Sequence, residues 1–351
     1  MDTKKLDDLR TKYAVSPPGD VHDPKFKRVV EMVFAGTDRR PKPYEGVSSF
    51  LGAPLQLDAP STPDWAGLDV ALVGVPMDLG VTNRPGARFG PRAVRAIERI
   101  GPYHHVHEMA PLTVVKCADV GDVPFRSRFS LSDSHEDIEA FYKRLAAAGV
   151  SPVSVGGDHS ISLPILKALG AGRPLGLVHI DAHGDTSGPF EGAKFHHGGP
   201  FRQAVLAGVL DPERTIQIGI RGGAEYLWEF SYASGMTVIH ADEVSGLGIE
   251  RIIEKIGAVV GSGPAYISFD VDSLDPAFAP GTGTPEIGGL STREALALLR
   301  GCAGLEVVGG DVVEVAPQYD ATTNTAQAGA QMLFEILSLA ALTRMRAKPA
   351  A

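Results

Sequence analysis

Short apolar runs at 70–75, 113–117, 152–155, 175–180, 215–220, 237–239, 265–269 and 307–312 recur along this chain at strand length. Between them lie amphipathic or apolar stretches at 135–148, 247–260, 291–300 and 324–343, which read as helices. Alternation of this kind predicts an α/β fold with a mostly parallel sheet covered by helices on both faces. Ligands of such sheets bind outside the carboxyl ends of the strands. Residues 1–65 are rich in charge and proline, as in Ser16-Pro17-Pro18-Gly19-Asp20 and Arg39-Arg40-Pro41-Lys42-Pro43, and show no long periodic element. They are expected to form an arm packing on the body or on a neighbouring subunit, with residues 66–346 as one catalytic domain.

Composition narrows the class. At 351 residues and 44% hydrophobic content the chain can bury a sizeable core. The most apolar C-terminal stretch, 332–342, is interrupted by Glu335 and follows Gln327 and Gln331, so it reads as a buried helix rather than a membrane span. The only cysteines, Cys117 and Cys302, lie in apolar settings, and no N-terminal apolar stretch has signal-peptide length, which points to the reducing cytoplasm. A net charge of −9 without a Lys/Arg stripe disfavours nucleic acid. It is compatible with a cationic small substrate.

The candidate chemistry follows the apolar runs. Asp181, His183 and Asp185 alternate in V-H-I-D-A-H-G-D, and Asp270 and Asp272 repeat that spacing in Y-I-S-F-D-V-D. In extended backbone, residues two apart point the same way, so each cluster aims at one spot where a strand ends. Crowded carboxylates repel unless protons or a cation supply the missing charge. A metal site is the economical reading, and an Asp/His donor set without cysteine suits Mn²⁺, Ni²⁺ or Co²⁺ better than a structural zinc. Gly156-Gly157-Asp158-His159-Ser160 adds His159 after a third run, with glycines allowing a tight strand-to-helix turn. Shared carboxylates among these six residues could bridge two ions and activate a water for hydrolysis.

In this order G-G-D-H-S, D-A-H-G-D and S-F-D-V-D-S-L-D-P-A-F-A-P-G-T-G-T-P-E-I-G-G-L resemble the motifs of the ureohydrolases, the arginase and agmatinase superfamily, over about residues 68–343. The resemblance implies a three-layer α/β/α arginase-like fold, a central mostly parallel sheet of about eight strands, and two divalent ions, Ni²⁺ or Mn²⁺. It assigns His159, Asp181, Asp185 and Asp270 to one ion, and Asp181, His183, Asp270 and Asp272 to the other. Asp185 would also orient the attacking water. His197 would be the proton shuttle, with His196 as the alternative, and Glu314 in D-V-V-E-V-A-P would hold the guanidinium. The loop with Asn83 and Arg84, N-R-P-G-A-R-F-G-P, would border the pocket. This loop resembles the agmatinase branch, but Gly184 and H-G-G-P-F depart from the agmatinase pattern, and the H-H-G-G-P-F-R stretch, with the long N-terminal arm, is more similar to guanidine and biguanide hydrolases, including metformin hydrolases. A small guanidine-type substrate is therefore expected, with agmatine or 4-guanidinobutyrate as alternatives whose distal group must meet a polar or charged residue; whether Arg84, Tyr103 or Trp228 reaches that far is not read from the sequence. Trimers or homohexamers are expected for the superfamily. A non-catalytic subunit of a hetero-oligomer is the reading from another class, and the presence of all six ligand residues weighs against it.

Overall fold

The computed structural model describes residues 2–14, 21–34, 42, 44–57, 65, 67–98 and 100–347. Most of the two proline-rich segments quoted above lies outside the described residues. Eight strands form one sheet: β1 (Val70–Val75), β2 (Cys117–Asp122), β3 (Ser151–Gly156), β4 (Leu175–Ile180), β5 (Leu210–Ile220), β6 (Thr237–His240), β7 (Pro264–Asp270) and β8 (Glu306–Val313). All neighbours pair in parallel, in the order β2-β1-β3-β8-β7-β4-β5-β6. Parallel strands bury both faces, which is why β1, β3 and β4 are uninterrupted buried segments.

The helices, in chain order, are α1 (Thr3–Tyr13), α2 (Pro24–Val33), α3 (Gly90–Arg95), α4 (Pro111–Val114), α5 (Leu131–Ala147), α6 (Ser162–Leu169), α7 (Pro200–Leu206), α8 (Glu229–Ser234), α9 (Ala241–Leu247), α10 (Ile249–Val260), α11 (Thr292–Gly301) and α12 (Asn324–Ala347). The pleat of the sheet divides the core in two. Val70 and Leu72 of β1 belong to the core layer that includes α3 and α10–α12, while Ala71, Val73 and Val75 belong to the layer that includes α5–α7. This is the expected three-layer arrangement. In α10 the apolar face is Ile252, Ile256 and Val260, four residues apart, and a Ser291–Glu294 capping box starts α11. Glu335 in buried α12 is neutralised by Arg300 and hydrogen-bonded to His104.

Some elements depart from the sequence expectation. The run at 113–117 is a strand only at its end: Pro111 opens the short helix α4, and β2 then runs on through Asp119. That buried carboxylate is tolerated because Arg95 pairs with it at 2.8 Å and Phe50 N donates to it. The helix at 247–260 is broken at Gly248, whose φ of +79° suits glycine. The N-terminal arm carries two helices where no periodic element is apparent. Asp2 and Asp23 cap them and Pro24 occupies the first turn of α2, yet neither helix buries a residue. No helix among the described residues is long and apolar enough to cross a membrane.

Candidate active site

Four adjacent strands, β3, β8, β7 and β4, end side by side, and their carboxyl ends carry the chemistry. β3 runs into Gly157, where a Cβ would collide with the Met77 carbonyl oxygen, so only glycine lets the chain turn there. Asp158 then caps the turn through Ser160 N and sets His159 at the strand end. β4 leads to Asp181, His183 and Asp185, β7 to Asp270 and Asp272, and β8 to Glu314.

The six residues expected to bind metal converge. His159 Nδ1 lies 3.0 Å from Asp181 Oδ2, 3.0 Å from Asp185 Oδ2 and 3.3 Å from Asp270 Oδ2. His183 Nδ1 lies 3.5 Å from Asp181 Oδ1 and 3.2 Å from Asp272 Oδ2. The two oxygens of Asp181 thus face two separate donor groups.

The polar surroundings fix the imidazole orientations. Ser268 Oγ donates to Asp311 Oδ1 at 2.6 Å and so accepts from His159 Nε2–H at 2.7 Å. Asp311 also accepts from Ser162 and Tyr266. Gln217 Nε2 donates to His179 Nδ1, leaving His179 Nε2–H to donate to Asp181 Oδ2 at 2.7 Å. His159 Nδ1 is consequently buried with no hydrogen-bond partner while facing three carboxylates. Such a nitrogen must carry a proton or share a cation with those oxygens. The site's proton affinities show the same need for positive charge. Burial pushes the Asp270 carboxyl well above its usual range, helped by Asp272 and Asp181. Burial disfavours charge on His159 and His183 too, yet the carboxylates around each hold it well above the usual imidazole range. The residues present therefore fit divalent cations.

Two site residues hold left-handed backbone without being glycine: Asp185 at φ +48° and Glu314 at φ +64°. Strain of that kind is characteristic of functional positions. Glu314 Oε1 accepts from His159 N at 2.9 Å and lies 2.8 Å from His197 Nδ1. Its second oxygen, Oε2, is buried and unpartnered. Burial lowers the proton affinity of His197, but Glu314 foremost, with Asp185 and Asp158, raises its pKa to about 9. Thr82 contacts the other ring nitrogen. His196 lies beside it but is committed to Gly188 O through Nε2 at 2.8 Å.

A cavity of about 390 Å³ opens over Asp185, Asp270, His183 and His197. Phe190, Tyr226, Leu227 and Trp228 form its apolar wall, and Arg221 and Glu286 its polar one. His196 also lines it, whereas Asn83, Arg84 and Tyr103 are not among the described lining residues. Asn83 and Arg84 instead donate to Gly283 O, bracing the P-G-T-G-T loop, and Arg84 stacks on Tyr319. A larger groove of about 840 Å³, beside Leu51 and Ile97, lies away from the ligand residues and contains none of them.

The arginase family profile matches residues 68–338. The chain belongs to the arginase family. A guanidinopropionase of Pseudomonas aeruginosa is 49% identical over 312 residues, covering 87% of this chain and 98% of that protein. A mitochondrial agmatinase of Gallus gallus is 47% identical, covering 83% of this chain and 85% of the relative. Among solved structures, proclavaminate amidinohydrolase from Streptomyces clavuligerus superposes with a TM-score of 0.81 at 36% identity, covering 86% of this chain and all of the other. This arginase-family member is thus an amidinohydrolase, a hydrolase of C–N bonds in guanidino compounds.

Sequence reasoning missed several members of this arginase-family site. Thr82, Ser268, Asp311, His179 and Gln217 are assigned no role by the sequence; the last four are polar residues inside apolar strands, which is the one signal that points to them, and Thr82 stands in an exposed loop without one. Asp158 stands inside G-G-D-H-S, but its bond from Gly80 N, which ties the turn to the loop before Thr82, has no sequence signature.

Proposed function

We propose that the chain hydrolyses a small guanidine-type compound with the aid of two divalent metal ions, Ni²⁺ or Mn²⁺. The observation that carries the metal part is His159 Nδ1, a buried ring nitrogen facing three carboxylates without a partner. His159, Asp181, Asp185 and Asp270 would hold one ion, and Asp181, His183, Asp270 and Asp272 the other. When bound, such a pair lowers the pKa of water towards neutrality and so supplies a nucleophile that guanidine chemistry otherwise lacks.

The remaining work falls to side chains. A guanidinium is planar and rich in N–H donors, and the buried, unpartnered Glu314 Oε2 would be the acceptor that takes one of them, although Glu314 is not among the described residues lining the cavity. Asp185, held in strained backbone at the cavity floor, orients the water. His197 carries the proton that the departing nitrogen needs, and its pairing with Glu314 keeps it charged near neutral pH.

The cavity walls support a substrate without a carboxylate. All the N–H groups of Arg221 are spent on the carbonyls of Gly219, Asp272, Ser273, Leu274 and Glu286, and no lysine is among the described lining residues. Phe190, Tyr226 and Trp228 offer ring faces to a delocalised cation such as guanidine or N,N-dimethylbiguanide. A second reading, an ω-guanidino acid, is favoured by kinship with the guanidinopropionase. Product analysis by mass spectrometry, with Ni²⁺- and Mn²⁺-loaded protein, separates these readings. Urea and ammonia from guanidine, or guanylurea and dimethylamine from dimethylbiguanide, are the expected outcome. Urea with β-alanine from 3-guanidinopropionate, or with 4-aminobutyrate from 4-guanidinobutyrate, would move the chain to the acids, and urea with putrescine to agmatine. Metal uptake without turnover of any of them would favour the non-catalytic subunit.

A further inference from the structure

Thr82 meets His197 at the nitrogen that points away from Glu314. The Thr82 amide nitrogen lies 3.1 Å from His197 Nε2, and the hydroxyl Oγ1 only 2.7 Å from it. The two contacts suit two protonation states of one ring. A neutral ring accepts from the amide N–H at Nε2, whereas a charged ring donates its Nε2–H to the hydroxyl oxygen, and Nδ1–H stays on Glu314 in both. The histidine itself is buried, while Thr82 is exposed and lines the cavity. Both partners are fixed from behind, since His197 N donates to Gly80 O at 2.9 Å and Gly80 N donates to Asp158 Oδ2 at 2.7 Å.

We propose that the Thr82 hydroxyl relays the proton between His197 and the departing nitrogen. The inference rests on His197 being the proton shuttle. As the C–N bond breaks, its electron pair stays on the departing nitrogen, which takes the hydroxyl proton of Thr82. Oγ1 simultaneously takes the proton of His197 Nε2, leaving a neutral imidazole and an unchanged hydroxyl. The proton released by the attacking water, whose oxygen forms the new C–O bond, recharges the ring. No further reactant is needed, because a hydroxyl both donates and accepts.

Thr82→Val keeps the amide contact and the volume but removes the hydroxyl, and Thr82→Ser restores it. On whichever of guanidine, dimethylbiguanide, 3-guanidinopropionate, 4-guanidinobutyrate and agmatine is turned over, Thr82→Val should lower kcat by about a hundredfold with KM little changed, the lower end of the range of general acid effects. Thr82→Ser should recover most of it. Equal losses in both variants, or an unchanged kcat in Thr82→Val while His197→Asn is inactive, would overturn the relay and leave the shuttle standing. Full activity in His197→Asn would remove the shuttle and the relay together. A readout without turnover is the exchange of the His197 Nε2 proton with water, followed by NMR on ¹⁵N-histidine protein. Exchange should slow in Thr82→Val, and an unchanged rate would overturn the relay.

Discussion

At the scale of single residues, Asp311 shows how far the site reaches beyond the groups that would touch a metal. Its carboxylate is fully buried and accepts from Ser162, Ser268 and Tyr266, and through Ser268 it sets which nitrogen of His159 faces the carboxylate cluster. Second-layer groups of this kind typically control metal affinity by about 10- to 100-fold. Asp311→Asn should therefore weaken the ion at His159 by that factor and spare the ion at His183, read as two unequal steps in a calorimetric metal titration. His135 supplies a pH effect outside the cluster. Burial foremost, with Lys167 nearby, depresses its pKa to about 4 from an ordinary 6.5. Its contribution to stability is present above about pH 6.5 and is lost as pH falls from 6.5 towards 4, since there the unfolded chain binds the proton that the folded one refuses. His135→Phe should flatten the fall of Tm across that window, which a set of thermal melts would show.

At the scale of elements, legibility followed the physics of each signal. The alternating Asp and His residues after β4 and β7 are readable because strand geometry turns period-two spacing into a common direction. β1, β3, β4 and β7 are readable because strands buried on both faces are mostly apolar along their length. The pairing of Ser268 with Asp311 is not, because it depends on the register of β7 against β8, which places these two residues opposite each other. The end of β2 is hidden because Asp119 looks like a loop residue until Arg95 neutralises it. Thr82 stands beside the N-R-P-G loop expected to border the pocket, but nothing in that turn-forming sequence singles out its hydroxyl. The start of α11 is the most local of these features, and Ser291→Ala, which removes one half of its capping box, should cost about 1 kcal/mol in urea unfolding.

For the whole molecule, the cluster of buried carboxylates sets a balance between fold and charge. Asp181, Asp270 and Asp272 meet with little solvent, so cations that bind only the folded state should stabilise it in proportion to their affinity. Chelation is expected to lower Tm, and Mn²⁺ or Ni²⁺ to restore it in a dose-dependent way; an unchanged Tm would count against a metal held by these residues. No residue of α1 or α2 is fully buried among the described residues, and helices of 11 and 10 residues are marginal by themselves in water. Deleting residues 1–34 should leave the melting of the sheet domain intact; a smaller sedimentation coefficient than one arm's mass explains would put the arm on a neighbouring subunit, and a change of that mass alone would put it on its own body.

The strand order β2-β1-β3-β8-β7-β4-β5-β6 also imposes a timetable. A ribosome releases β3 and β4 early, but the two strands that lie between them are the last to emerge. Until β7 and β8 slot into that gap, His159 on one half of the sheet and Asp181 on the other have no frame to hold them together. Metal capture thus waits for translation to finish, and a nascent chain stalled before residue 264 should pass through the cell without sequestering an ion.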